Sequence, residues 1–165
     1  MTIFDTSYTS PFFSLTLQRE ENTMYMKMQT HSDLITTRNL PHTVQILKEV
    51  CPRVLKTQCF NNKNLPFYKE VENTEIGHMF EHILLAYLCK LCVKHGIRDV
   101  VFNGKTNWNW LTDQKGVFHI YITPADLMSS LIHTAIKKTI YITEFIMESE
   151  FAYKKTSSLM ATRLV

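Results

Sequence analysis

The chain has 165 residues and a mass of 19.4 kDa, which suits one domain of ordinary size and is too short for two full catalytic domains. Its 45% hydrophobic and 20% charged residues are near globular averages, which excludes an intrinsically disordered or collagen-like chain. The 18 Lys and Arg residues against 15 Asp and Glu leave a net charge of +3, well below the dense basic surface of nucleic-acid-binding proteins. We therefore expect a folded protein that binds no nucleic acid.

Sequence features of membrane insertion, secretion and nucleotide binding are missing. No apolar run reaches the ~20 residues that span a bilayer, and the first residues lack the basic and apolar regions of a secretory signal. The 4 cysteines form no dense disulfide framework, and the 4 glycines build neither a Walker loop nor a GxGxxG turn. We expect a cytoplasmic protein with reduced thiols, no membrane contact and no ATP- or NAD-driven chemistry of its own.

The first third of the chain predicts a hairpin followed by a short helix. Residues 1–10 are polar without a period and are predicted to be a flexible tail. Apolar and polar residues alternate over residues 12–17 and 23–28, which predicts two strands joined as a hairpin. Helical spacing of the apolar residues before Pro52 predicts a short helix, and residues 52–72 show no sustained period and are predicted to be an irregular connection.

A long apolar helix is the clearest signal in the middle of the chain. It is predicted to begin at the N-cap Thr74, to run for about 20 residues and to stop at Gly96. Its side chains are apolar almost all round, as expected for a helix packed centrally against a sheet.

The remaining pattern predicts two more strands and a last helix. The β-branched residues 100–102, a turn at residues 103–104 and the alternating residues 117–122 indicate a second strand pair. Pro124 is predicted to begin another long helix that ends near Glu148. The order β-β-α-α-β-β-α predicts an α+β fold, a mostly antiparallel sheet with helices on one face, formed by a single domain over residues 11–150 between tails at 1–10 and 151–165.

The central helix contains the motif His-x-x-Glu-His, formed by His78, Glu81 and His82. Histidines four residues apart project from one helical face, so both imidazoles can bind one tetrahedral metal ion such as zinc. Glu81 lies beside that face, where its carboxylate can take a proton from water without being a ligand. The motif is the inverted form of the zincin signature and indicates hydrolysis. The alternative is that all three are ordinary helix residues.

A catalytic zinc needs a third protein ligand, which the motif does not supply. Glu75 lies one turn before the first histidine, although it equally suits a first-turn carboxylate that compensates the helix dipole. Glu144 is a candidate on the last helix, or else a solvated residue there. His119 and His133 are further candidates, each of which more often serves as a hydrogen-bond partner of backbone or water.

Two other patterns are better explained by packing. Cys89 and Cys92 form a lone Cys-x-x-Cys, and buried small side chains are favoured over a metal or redox pair. Trp108 and Trp110 alternate near a strand end, which favours packing over a binding platform.

The residues 74–85, followed by 100–106 and 116–118, resemble the N-terminal domain of cyanophycin synthetases. A looser likeness extends over residues 12–150 and includes Cys59. The resemblance implies a stand-alone domain without the ATP-grasp and Mur-ligase-like domains, which binds a peptide-like polymer. It also implies a zinc-peptidase-like site in which His78 and His82 are ligands and Glu81 is the base, and it favours Glu144 as the third ligand.

One position departs from that family. Its members commonly carry a glutamate four residues after the second histidine, where this sequence has Ala86. Two hypotheses follow: a zinc-dependent amide hydrolase, or a non-catalytic module that binds a peptide-like polymer or a protein partner and retains the motif. Homo-oligomer formation is open in both.

Overall fold

The computed structural model describes the backbone of residues 6–162 and the side chains of residues 6–150. This part of the chain forms five strands and four α-helices, with short 3-10 turns at Thr37–Asn39 and Val54–Lys56. The strands are β1 (Thr6–Thr9), β2 (Phe13–Glu20), β3 (Thr23–Thr30), β4 (Asn103–Asn107) and β5 (Val117–Thr123). The helices are α1 (Thr43–Val50), α2 (Phe67–Glu70), α3 (Ile76–Lys94) and α4 (Ser129–Thr162).

The strands form one antiparallel sheet in the order β1-β2-β3-β5-β4, which confirms the predicted α+β fold. Burial alternates along the central strand: Met24, Met26 and Met28 are at most 2% exposed, whereas Lys27 is exposed. Alternating burial means that one face of the sheet is covered and the other faces solvent. The hydrophobic core therefore lies between the covered face and the helices.

The N-terminal hairpin is confirmed as β2 and β3, and a further strand precedes it. Residues 6–9, within the segment predicted as a tail, pair with β2 in the register Thr6↔Leu17 to Thr9↔Ser14. This short strand is polar and mostly exposed, so its sequence shows no hydrophobic alternation that would predict a strand. It is stabilised by pairing with β2. Residues 1–5 lie outside the described residues.

The central helix α3 confirms the longest predicted element and packs closely on the sheet. A Cβ on Gly77 would lie 2.5 Å from Cγ of Phe118 on β5. Only glycine permits that approach, which sets the spacing between the first turn of α3 and the sheet.

By length and composition, α3 also passes as a membrane span, with 19 residues and a mean hydropathy of 1.4. In the fold, 56% of that stretch is buried by the rest of the domain. Packing in the core therefore accounts for the apolar composition that distinguishes this helix.

Strand β4 begins later than predicted. Residues 103–104, predicted as a turn, instead pair with β5 as Asn103↔Thr123 and Gly104↔Ile122. A glycine is required here for another reason, because a Cβ on Gly104 would lie 2.8 Å from Cδ of Glu81 on α3. The local Asn-Gly signal was therefore overridden by a contact between the sheet and a helix.

Helix α4 differs from the prediction at both ends. It begins at Ser129 rather than at Pro124, because the amide of Ala125 donates hydrogen bonds to the backbone and side-chain oxygens of Asn22 in the β2–β3 turn. Its backbone continues to Thr162, through most of the segment predicted as a C-terminal tail.

Candidate metal centre

The two histidines of the motif lie together, as their spacing predicts. Their ring centroids are 4.8 Å apart, and both Nε2 atoms face the thiol of Cys59. The Cys59 Sγ lies 3.4 Å from Nε2 of His78 and 3.1 Å from Nε2 of His82. These three donor atoms lie within 4.8 Å of one another, so the group could hold one metal ion.

Cys59 reaches the histidines from the irregular connection before α2. Its amide donates to the carbonyl of Leu65, and an isolated bridge joins Gln58 to Pro66, so the segment folds back on itself above α3. The side chain is only 1% exposed. Helical spacing does not reveal that Cys59 lies beside the histidines, and its one signal in the sequence is its position in a long connection of the kind that is often functional.

Neighbouring hydroxyls orient both imidazoles. The Thr57 hydroxyl donates to the Val54 carbonyl at 2.7 Å, so it accepts the hydrogen of His82 Nδ1 at 3.1 Å. This fixes the tautomer and leaves the Nε2 lone pair facing the cluster. Thr74, predicted to be an N-cap, lies 2.7 Å from Nδ1 of His78 through its own hydroxyl.

An aromatic wall fixes the second imidazole further. The buried ring of Phe67 stacks on His82 with centroids 4.0 Å apart and an interplanar angle of 14°. Hydrogen bonding and stacking together hold the ring in one orientation, which is what metal ligands need from their surroundings.

Burial keeps all three donors uncharged in the metal-free protein. It lowers the pKa of His82 to about 3 and lowers the pKa of His78. Burial, together with the nearby carboxylates of Glu70 and Glu81, raises the pKa of the Cys59 thiol to about 12. A cation bound here would displace the thiol proton and gain one thiolate and two neutral imidazoles.

This donor set fits zinc. One sulfur and two imidazole nitrogens are ligands that zinc prefers, and tetrahedral bonds of ~2.3 Å to sulfur and ~2.0 Å to nitrogen place such donors ~3.5 Å apart. Within the described residues, no fourth Cys, His, Asp or Glu joins the group. Three protein ligands are typical of catalytic zinc sites, whereas structural sites use four.

Glu81 lies beside the group and is held by β4. Its side chain is nearly fully buried, and the Thr106 hydroxyl donates to its Oε2 at 2.5 Å. Burial raises the pKa of Glu81 to about 7, although the hydrogen bond from Thr106 opposes this shift. The absence of a side chain at Gly104 provides the space for this carboxylate.

The two histidines of the group and Glu81 line one cavity of about 1040 Å³, and Cys59 is buried behind them. Within it, Glu70 is 5% exposed, and its Oε1 accepts a hydrogen bond from Asn61 and pairs with Lys63. The second oxygen, Oε2, is buried without a hydrogen-bond partner in the described part of the chain. Other walls of the cavity are formed by Arg53, Phe60, Ala86, Lys105 and Trp108.

Comparison with protein families agrees with this architecture. The family described as the cyanophycin synthase-like N-terminal domain matches residues 23–145, from β3 into α4. The chain belongs to this family. No curated protein matches the sequence. The matched residues of this cyanophycin synthase-like domain include Cys59, His78, Glu81 and His82, and the resemblance inferred from the motif is confirmed.

Glu144 is not brought to the metal group of this cyanophycin synthase-like domain. It lies on α4, where its Oε1 accepts a hydrogen bond of 2.6 Å from Tyr8 on β1. Strand β1 and strand β4, which contacts Glu81, are the two opposite edges of the sheet, four strand spacings or ~19 Å apart. The third donor that lies beside the two imidazoles is therefore Cys59, and Glu144 lies elsewhere.

The remaining candidate ligands lie elsewhere or serve other roles. Glu75 is the N-cap of α3 and lines the cavity but does not belong to the donor group. On the sheet face away from the core, His119 lies within 2.7 Å of the Tyr25 hydroxyl and 3.0 Å of Asp113, as a partnered histidine. His133 is exposed on α4.

The tryptophans agree with packing, whereas only one of the two paired cysteines is buried as predicted. The Trp110 Nε1 donates to the carbonyl of Val117, and both tryptophans contact the buried ring of Phe118 edge-on. Cys92 is buried in the core and Cys89 is an exposed thiol without a disulfide.

Proposed function

We propose that this domain is a zinc-dependent hydrolase of amide bonds. Cys59, His78 and His82 hold the metal, and Glu81 is the general base. The observation that carries the proposal is the convergence of three zinc-type donors beside a buried carboxylate, at a large cavity that His78, His82 and Glu81 line. Three donors from the chain leave room for a reacting group, as in catalytic zinc sites.

The chemistry divides between the metal and Glu81. When bound, zinc supplies Lewis-acid polarisation of the scissile carbonyl and lowers the pKa of water. Glu81 takes a proton from the attacking water and passes it to the leaving amine nitrogen. The hydrogen bond from Thr106 holds the carboxylate in place for both transfers, and the missing side chain at Gly104 leaves room for it.

The shape of the site favours an extended peptide as substrate. Strand β4 pairs only with β5 among the described strands, and Asn103, Gly104 and Lys105 on it are exposed and line the cavity. A free strand edge can add an extended peptide through backbone hydrogen bonds. The hydrogen bond from Thr106 to Glu81 links that edge to the base, so a peptide paired there would run past the reactive groups.

A buried acceptor supports an amide-rich or cationic substrate as well. The partnerless Oε2 of Glu70 in the same cavity can accept a hydrogen bond from an N–H group of a bound chain. A buried carboxylate oxygen without a partner is costly, and a substrate donor would remove that cost.

The second candidate function is a binding module without catalysis. The observation that favours it is Ala86, which lines the cavity at a position where the resemblance implies a glutamate. If that carboxylate takes part in the reaction of relatives, this domain would bind a peptide-like polymer or a protein partner without cleaving it.

A cleavage assay separates the two functions. The zinc-loaded protein is incubated with a mixture of unstructured tryptic peptides, and new termini are identified by mass spectrometry. We expect cleavage by the parent protein and a loss of ~100-fold to 10,000-fold in the rate for Glu81→Gln, with zinc retained.

Glu75→Gln is the matched control, because Glu75 lines the same cavity outside the donor group, and it should leave the rate unchanged. Equal rates for the parent and Glu81→Gln would contradict the hydrolase. Peptide binding by a zinc-loaded parent that produces no new termini would support the module.

A further inference from the structure

A second cavity, of about 480 Å³, lies at the other edge of the sheet, between β1, β2 and the first half of α4. Its volume is within the ~300–1,000 Å³ range of small-molecule sites. It shares no lining residue with the cavity that contains the metal group, so an inference about it stands apart from the proposed function.

The floor of this groove is apolar and straight. Ile132, Ile136 and Ile140 line it at four-residue steps and therefore lie in a row on one face of α4. Eight residues of helix make that row ~12 Å long. The opposite wall is formed by Leu15 and Leu17 of β2 with Met24 of β3.

Among residues 6–150, the charged and titratable groups at the rim of the groove are mostly basic. Arg19, His133 and Lys137 line it, and no Asp or Glu of the described residues belongs to the lining. Among the ion pairs found in residues 6–150, none involves Arg19 or Lys137. Glu144 contacts the groove wall through Tyr8, but its Oε1 is engaged by the Tyr8 hydroxyl and it does not line the groove.

We propose that this groove binds an anionic amphiphile, namely a single alkyl chain that ends in a carboxylate. The alkyl chain lies along the isoleucine row, where it removes apolar surface from water. The carboxylate lies at the rim, where Arg19 and Lys137 provide charge of one sign without a partner from the described chain. Hydroxyls of Ser129 and Ser130 at the same rim can donate to it.

Titration calorimetry with dodecanoate, below its micellar concentration, tests the site. We expect saturable binding at one site per chain, with dodecanol binding more weakly because it lacks the charge. Lys137→Glu and Arg19→Glu should each weaken dodecanoate binding about fivefold to tenfold, since each removes one attraction and adds one repulsion.

The neighbouring residue supplies the matched control. Lys138 is exposed on α4 but does not line the groove, so Lys138→Glu changes the net charge equally and should leave the affinity for dodecanoate unchanged. Ser130→Trp places a bulky ring at the exposed mouth of the groove and should abolish binding of both dodecanoate and dodecanol, while circular dichroism shows the parent fold.

Three outcomes would overturn the proposal. They are the absence of saturable dodecanoate binding, equal weakening by Lys137→Glu and Lys138→Glu, and dodecanol binding as tightly as dodecanoate. Analytical ultracentrifugation of the same samples tests whether a second copy of the chain occupies the groove instead. A dimer that Ser130→Trp dissociates would show this and would also contradict the proposal.

Discussion

The two cavities at opposite edges of one sheet differ in what they bury. At the β4 edge, α3 and the connection before α2 bury polar groups, among them Glu70, Glu81 and His82. At the β1 edge, the cavity is lined by buried isoleucines of α4, and its charged lining residues Arg19 and Lys137 are only partly buried or exposed. Because buried polar groups destabilise a fold unless they are partnered, the polar groups at the β4 edge carry a cost in stability that the proposed function would explain.

The largest effect should come from removing a histidine of the metal group. His82→Ala removes one of three donors, so we expect loss of stoichiometric zinc and of amide hydrolysis. His133→Ala, at the rim of the other cavity, should change neither. Elemental analysis of zinc and the peptide cleavage rate are measured for both variants. A His82→Ala protein that keeps its zinc would show that the metal does not bind at the β4 edge.

A smaller effect should follow from the hydroxyl behind His82. Thr57→Ala removes the acceptor that fixes the His82 tautomer, so the zinc dissociation constant should rise about 10-fold to 100-fold. Competition with a zinc-binding dye measures this change. Thr112→Ala is the control, because the Thr112 hydroxyl bonds only within its own turn and should leave the affinity as it is.

Strand β4 can be tested at its glycine. Gly104→Ala places a methyl group against the Glu81 carboxylate, so it should destabilise the fold by ~1–3 kcal/mol and reduce the cleavage rate while zinc remains bound. Urea unfolding measures the loss of stability, the peptide assay measures the cleavage rate, and elemental analysis measures the zinc content. Asn103→Ala, an exposed neighbour on the same strand, should have little effect on either, and a silent Gly104→Ala would mean that Glu81 is not held by β4.

The smallest effect is expected at the β1 edge. Tyr8→Phe removes the hydrogen bond to Glu144 and should cost about 1 kcal/mol in the free energy of unfolding, with zinc content and cleavage unchanged. Glu144→Gln should likewise keep the zinc. Loss of zinc in Glu144→Gln would show that this carboxylate reaches the metal and would restore it as a ligand.

The sequence predicted those features that depend on local periodicity. The β2–β3 hairpin and the α3 helix follow from alternation and helical spacing, and so does the pairing of His78 with His82. Strand β1, the position of β4 and the role of Cys59 depend on contacts between segments far apart in the chain. Glu144 was favoured by the resemblance to the family, and neither that resemblance nor spacing along the chain reveals which edge of the sheet a helix residue faces.

The most direct test of this account is the zinc content of a Cys59→Ala variant beside Cys92→Ala. Both thiols are buried, but only Cys59 faces the two imidazoles, so the pair separates loss of a ligand from loss of a core side chain. After zinc loading and dialysis, we predict about one zinc per chain in the parent and Cys92→Ala, and almost none in Cys59→Ala. Equal zinc in all three proteins, or none in the parent, would contradict it.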